Sequence, residues 1–102
     1  MKNREKEILN KVVAILKKEL NPAKIILFGS RAKGINDNAA DFDLAVDCKR
    51  PDVSQERRIN EEIEKISGLY KVDIAYLKSV DAEFKKNVLK TGKVVYERRH
   101  KL

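Results

Sequence analysis

Gly29-Ser30 and, ten residues further on, Asp41-Phe42-Asp43 are the residues of this chain whose types and spacing could do chemistry. A Gly-Ser turn lets backbone come close to a ligand, and a Ser at the start of a short helix can offer its hydroxyl and nearby unpaired N–H groups to phosphate oxygens. The paired acids call for a cation. Asp41 and Asp43 stand one strand repeat apart, so their carboxylates point the same way and repel unless a positive charge lies between them. Oxygen donors with open neighbouring positions suit the hard, hydrated Mg²⁺ ion. A phosphate-binding turn just upstream of a carboxylate pair therefore points to metal-assisted chemistry on a nucleoside triphosphate. Asp73, set among apolar neighbours in Tyr70-Lys71-Val72-Asp73-Ile74-Ala75-Tyr76-Leu77, can complete a two-metal site if its strand lies beside the first acidic one. It can also help to take a proton from the attacking group.

These residues must be positioned by regular elements. Lys24-Ile25-Ile26-Leu27-Phe28 is a short apolar run ending in Gly-Ser and reads as a buried strand stopped by a turn. Over Asp41 to Asp47 the alternation places Phe42, Leu44 and Val46 on one face and Asp41, Asp43 and Asp47 on the other. Ahead of them, Ile8, Val12, Ile15 and Leu16, with Leu9 and Leu20 beside them, fall at helical spacing, and Asn21-Pro22 ends that helix. Ser54 is placed to cap a helix burying Ile59, Ile63 and Ile66, with Gly68 to stop it. A last helix is expected from about Asp81 to Lys90, stopped by Gly92, and Lys93-Val94-Val95-Tyr96 forms a final strand. Helix, strand, short helix, strand, helix, strand, helix, strand gives an α/β (α+β) domain, residues 1–102, with one mixed sheet of about four strands flanked by helices.

Gly-Ser turns and Asp-x-Asp strands are each common; their ordered occurrence with a later strand acid is what carries the reading. Other phosphate motifs fail. Gly29 and Gly34 have the P-loop spacing, but Ile35-Asn36 stand where Lys-Ser/Thr is required, and there is no G-x-G-x-x-G.

At these residues the chain resembles the DNA polymerase beta-like nucleotidyltransferase superfamily, and within it the minimal nucleotidyltransferases, whose pattern is Gly-Ser, ten residues, Asp-x-Asp. The similarity runs from the helix before Gly29 to Gly92-Lys93-Val94-Val95-Tyr96, with Arg31-Ala32-Lys33-Gly34 continuing the turn. The resemblance implies a polymerase beta palm-like fold in which Asp41 and Asp43 hold both Mg²⁺ ions, Asp73 completes the catalytic one, and Gly29 and Ser30 bind the nucleotide phosphates. It implies transfer of AMP from ATP with loss of pyrophosphate. It further implies an antitoxin, paired with a HEPN-type ribonuclease toxin that it neutralises by binding and, in some members, by adding AMP to a hydroxyl of the partner. Ala40, where members often carry Ser, is a departure beside the metal site.

Composition fits a small cytoplasmic domain. The chain has no run approaching the roughly 20 apolar residues of a membrane span. Its formal charge of +7, from 23 basic and 16 acidic residues, should draw anions. Arg31 and Lys33 lie nearest the turn and are candidates to contact the triphosphate. The scattered Phe and Tyr residues make no stacking platform, so direct nucleic-acid binding ranks last. Cys48 and His100, each single of its kind, read as a reduced bystander and part of a solvated tail. A module that binds nucleotide or partner without catalysis stays open as the alternative, as do oligomeric state and acceptor.

Overall fold

The first helix owes its position to one stripe of its surface. In the computed structural model, which describes residues 3–29, 32 and 41–99, helix α1 (Asn3–Leu20) buries Ile8, Leu9, Val12 and Leu16 and leaves most of its charged residues outside, Glu5 and Glu19 being partly buried. Asn21 ends it in the left-handed region (φ 44°), its N–H donating to the Lys17 carbonyl at 3.0 Å, and buried Pro22 follows. Asn tolerates this conformation better than other non-glycine residues. The chain then enters β1 (Lys24–Phe28) and β2 (Asp41–Val46), crosses through α2 (Val53–Ser67) to β3 (Lys71–Tyr76), and closes with α3 (Ala82–Thr91) and β4 (Lys93–Glu97).

Among the described residues the strands form one sheet in the order β3-β2-β1-β4. β1 runs antiparallel to both of its neighbours, whereas β2 and β3 are parallel. Parallel neighbours need a long crossover, and α2 supplies it. The expected mixed four-stranded sheet is observed, with the short helix after Gly29 lying outside the described residues.

Alternation along the strands divides the core into two layers. Ile25, Leu27, Phe42, Leu44 and Val46 pack with the buried stripes of α1 and α2. On the opposite face Ile26 and Ala45 meet Leu77 and Val88, with Phe28 and Phe84 half-buried beside them. α3 thus covers the face from which Asp41 and Asp43 project.

One cap differs from expectation. Asp52, not Ser54, begins α2: its carboxylate accepts from the Gln55 N–H at 2.8 Å, and Ser54 lies inside the first turn. Both types are good N-caps, and the Asp anion also suits the positive end of the helix. Asp81 caps α3 in the same way, accepting from Phe84 N–H at 2.8 Å, and Gly68 closes α2 at φ 61°.

Tyr76, at the end of β3, is only 4% exposed, and its hydroxyl finds no hydrogen-bond partner among the described residues. Burial, and after it the Glu56 carboxylate, pushes its phenol up to about 12. A phenol whose pKa is raised by folding adds stability below the unfolded value of about 10, and this is lost as pH climbs from there through 12. Tyr76→Phe removes an unsatisfied buried oxygen, so it should stabilise the protein by about 1 kcal/mol at neutral pH. It should also flatten the alkaline loss of stability, as thermal melts between neutrality and high pH will show.

Candidate active site

β1 delivers the chain to Gly29, and the geometry there requires glycine. Gly29 has φ 73°, and a Cβ added to it would overlap Asp43 Oδ2 and lie 3.2 Å from Asp43 Cγ. The turn backbone therefore rests directly against the second motif carboxylate. Ser30, Arg31 and Lys33, the other residues expected at the phosphate turn, lie outside the described residues, as do Ala40 and His100.

β2 presents its acids on the α3 face. Asp43 is the register partner of Phe28 on one side and of Asp73 on the other. Paired residues on neighbouring strands point to the same face. Asp43 and Asp73 are thus direct lateral neighbours, with Asp41 one strand repeat away on the same face. Phe28 meets Phe84 of α3 edge to face, with centroids 5.8 Å apart and planes at 89°, and forms an apolar wall beside Asp43. Phe42, pointing the other way, is 1% exposed and fixes the strand in the core.

The electrostatics follow from this arrangement. Burial raises the Asp43 carboxyl above the ordinary carboxylate range, and the Asp73 and Asp41 carboxylates raise it further, while Lys71 opposes them. Lys71 is the register partner of Asp41, and its Nζ lies 3.9 Å from Asp73 Oδ1. Sequence reasoning did not single out Lys71. The signal was available: it stands two residues before Asp73 on an alternating strand and so shares its face.

Among the described residues no group of three or more His, Cys, Asp or Glu side chains stands close enough to hold an ion as placed. The donor types nonetheless fit Mg²⁺. Asp41, Asp43 and Asp73 are hard oxygen donors on one face, and a divalent cation would offset both the burial and, after it, the Asp73 and Asp41 repulsion that raise the Asp43 carboxyl. Cys48, half-buried against the core on the α2 side, takes no part.

A mixed sheet crossed by helices, with an acidic strand laid against a glycine turn, is the fold of a minimal nucleotidyltransferase. The chain belongs to the polymerase beta nucleotidyltransferase family, whose model matches residues 10–101. A protein of Methanocaldococcus jannaschii named "Putative protein adenylyltransferase MJ1379" is 40% identical over 78 residues, which span 74% of this chain and 77% of that protein. Among solved structures, a chain of a toxin-antitoxin crystal structure with AMP-PNP superposes with a TM-score of 0.73 at 23% identity, over 88% of this chain and 73% of that one. A chain from the complex of tri-AMPylated Shewanella oneidensis HEPN toxin with MNT antitoxin gives a TM-score of 0.68 at 21% identity, over 92% of this chain and 73% of that one. At these identities the two structures show a shared fold. No described helix is long and apolar enough to cross a membrane.

Proposed function

We propose that this chain transfers AMP from Mg·ATP to a hydroxyl of a partner protein in the cytoplasm, and that the partner is a HEPN-type toxin which it restrains as an antitoxin. The observation that carries this reading is the pairing of Asp43 with Asp73 across parallel strands, beside a glycine turn pressed against Asp43. The name of the archaeal relative and the toxin complexes with similar folds support the acceptor class.

Asp41 and Asp43 would hold the ions, with Asp73 completing the catalytic one. Bound Mg²⁺ would supply charge stabilisation at the phosphorus oxygens and lower the pKa of the attacking hydroxyl. The backbone at Gly29, together with Ser30, Arg31 and Lys33, would seat the triphosphate. The acceptor oxygen forms a bond to the α-phosphorus as the bond from that phosphorus to the bridging oxygen breaks; pyrophosphate leaves with the electron pair, and Asp73 takes the hydroxyl proton. The basic surface, +7 overall, favours arrival of the polyanion.

The test is incubation of the protein with Mg²⁺, ATP labelled at its α-phosphate and a HEPN-type partner, beside Asp41→Asn/Asp43→Asn. Label should appear on the partner and vanish in the double variant. A complex that silences the partner without label would make this an antitoxin that acts by binding alone.

A further inference from the structure

The strand that carries Asp73 is an edge strand, and the space beside it is shaped for a second chain. We propose that the open edge of β3 docks the acceptor: an extended segment of the partner protein, with a hydroxyl-bearing residue between two apolar ones and a basic residue nearby. This inference rests on the transfer reading and assigns the acceptor surface of that same site.

Among the described residues β3 pairs with β2 alone, so along its other edge alternate backbone N–H and C=O groups face outward. A groove of about 660 Å³ runs beside it, between β3 and the second half of α2. The helical layer stops short of this strand. Phe42, Leu44 and Val46 of β2 are at most 1% exposed, whereas Val72 and Ile74, which face the same way on β3, are only half-buried and line the groove. Leu69, fully exposed at 100%, stands at its mouth.

Asp73 also lines this groove, which therefore wraps from the apolar side of β3 round to the acid face. A segment added at ordinary strand spacing, about 4.8 Å away, places one residue opposite Asp73 on the acid face. The residues before and after it point toward Val72 and Ile74. The register that buries apolar neighbours is thus the one that delivers the central hydroxyl to Asp73.

Charge argues for this occupant over a second copy. In the groove wall Glu56 is matched by Arg50 at 3.1 Å, while Glu64 has no ion pair among the described residues. Glu61 stands with Glu64 in the adjoining hollow on α2, where Arg57 is the one cation among the described lining residues, and Lys71 in the groove lies beside Asp73, so acids outnumber bases in both. This acidic wall on a chain of net charge +7 suits a basic side chain of the partner, while two copies of the whole chain repel.

The probe is the synthetic peptide Arg-Arg-Val-Tyr-Val-Arg-Arg, added in excess with Mg·ATP while backbone amide exchange is followed. Alternate amides of β3 should exchange more slowly, and Leu69→Glu and Glu64→Lys, both at exposed positions, should each weaken binding by about tenfold with the melting temperature unchanged. Asp43→Asn should still protect β3 while losing label from the tyrosine. Protection of β4 instead, no protection at all, or β3 amides already slowed in the free protein in a concentration-dependent way overturns the proposal, the last by assigning the edge to a second copy. Slowed β3 amides without label in the native protein sink the transfer reading and leave the docking edge standing. Label without slowed β3 amides does the reverse.

Discussion

Asp43→Asn is expected to lower AMP transfer by about a thousandfold while making the metal-free protein more stable at neutral pH. On the proposed mechanism the rate loss follows from removing an anionic metal ligand where charge would develop on the α-phosphate, a loss of several kcal/mol at about 1.4 kcal/mol per factor of ten. The stability gain follows from the same geometry. In the free protein the Asp43 carboxylate is desolvated and repelled by Asp73 and Asp41, and Lys71 offsets only part of this. A carboxyl whose folded pKa is raised favours folding below its unfolded value and loses that contribution as pH rises through the folded one. The advantage of Asn over Asp should therefore be small at acid pH and grow as pH passes above the ordinary carboxylate range. Melts of both proteins in a chelator at acid and neutral pH, beside the labelling assay, measure the two effects together. A variant that is inactive and also less stable at neutral pH would mean that Asp43 has a favourable partner in the free protein, contrary to the electrostatics of this face.

Much of this arrangement was legible in the residues because the signals are local. The apolar run Lys24–Phe28, the alternation of Asp41–Val46 and the helical stripe of α1 all depend on periodicities of two and 3.6, and each element is found where that period places it. The cap of α2 was misplaced because Asp52 and Ser54 offer nearly the same chemistry two residues apart. What no local pattern could say is which strands become neighbours. That Asp43 lies beside Asp73, that Lys71 lies beside Asp41, and that β3 is an edge with an open groove are all consequences of the parallel crossover through α2. This topology meets the condition on Asp73, that its strand lie beside the first acidic one. Likewise Gly29 reads from sequence as a phosphate turn, but that a Cβ there would overlap the carboxylate of Asp43 is tertiary information, set by the Phe28 to Asp43 register.

That contact makes Gly29→Ala the complement of Asp43→Asn. At φ 73° an alanine is strained by about 1–2 kcal/mol whatever space surrounds it. In addition its Cβ would overlap Asp43 Oδ2, so either the carboxylate turns away from its neighbours or the whole turn shifts. Neither can happen without moving the backbone proposed to seat the phosphates relative to the acids, and a displacement of about 1 Å in such a site costs on the order of a hundredfold in rate. Transfer should fall by at least about that factor, and the melting temperature should drop by about 4–8 °C for each kcal/mol lost. Here activity and stability fall together, whereas in Asp43→Asn they move in opposite directions. A double-mutant cycle separates the two origins. In an Asp43→Ala background the overlap is gone and only the backbone strain remains, so Gly29→Ala should destabilise less there than in the native protein. Equal penalties in both backgrounds would show that the turn and the carboxylate are not in contact in solution, and the positioning of the acids by this glycine would have to be given up.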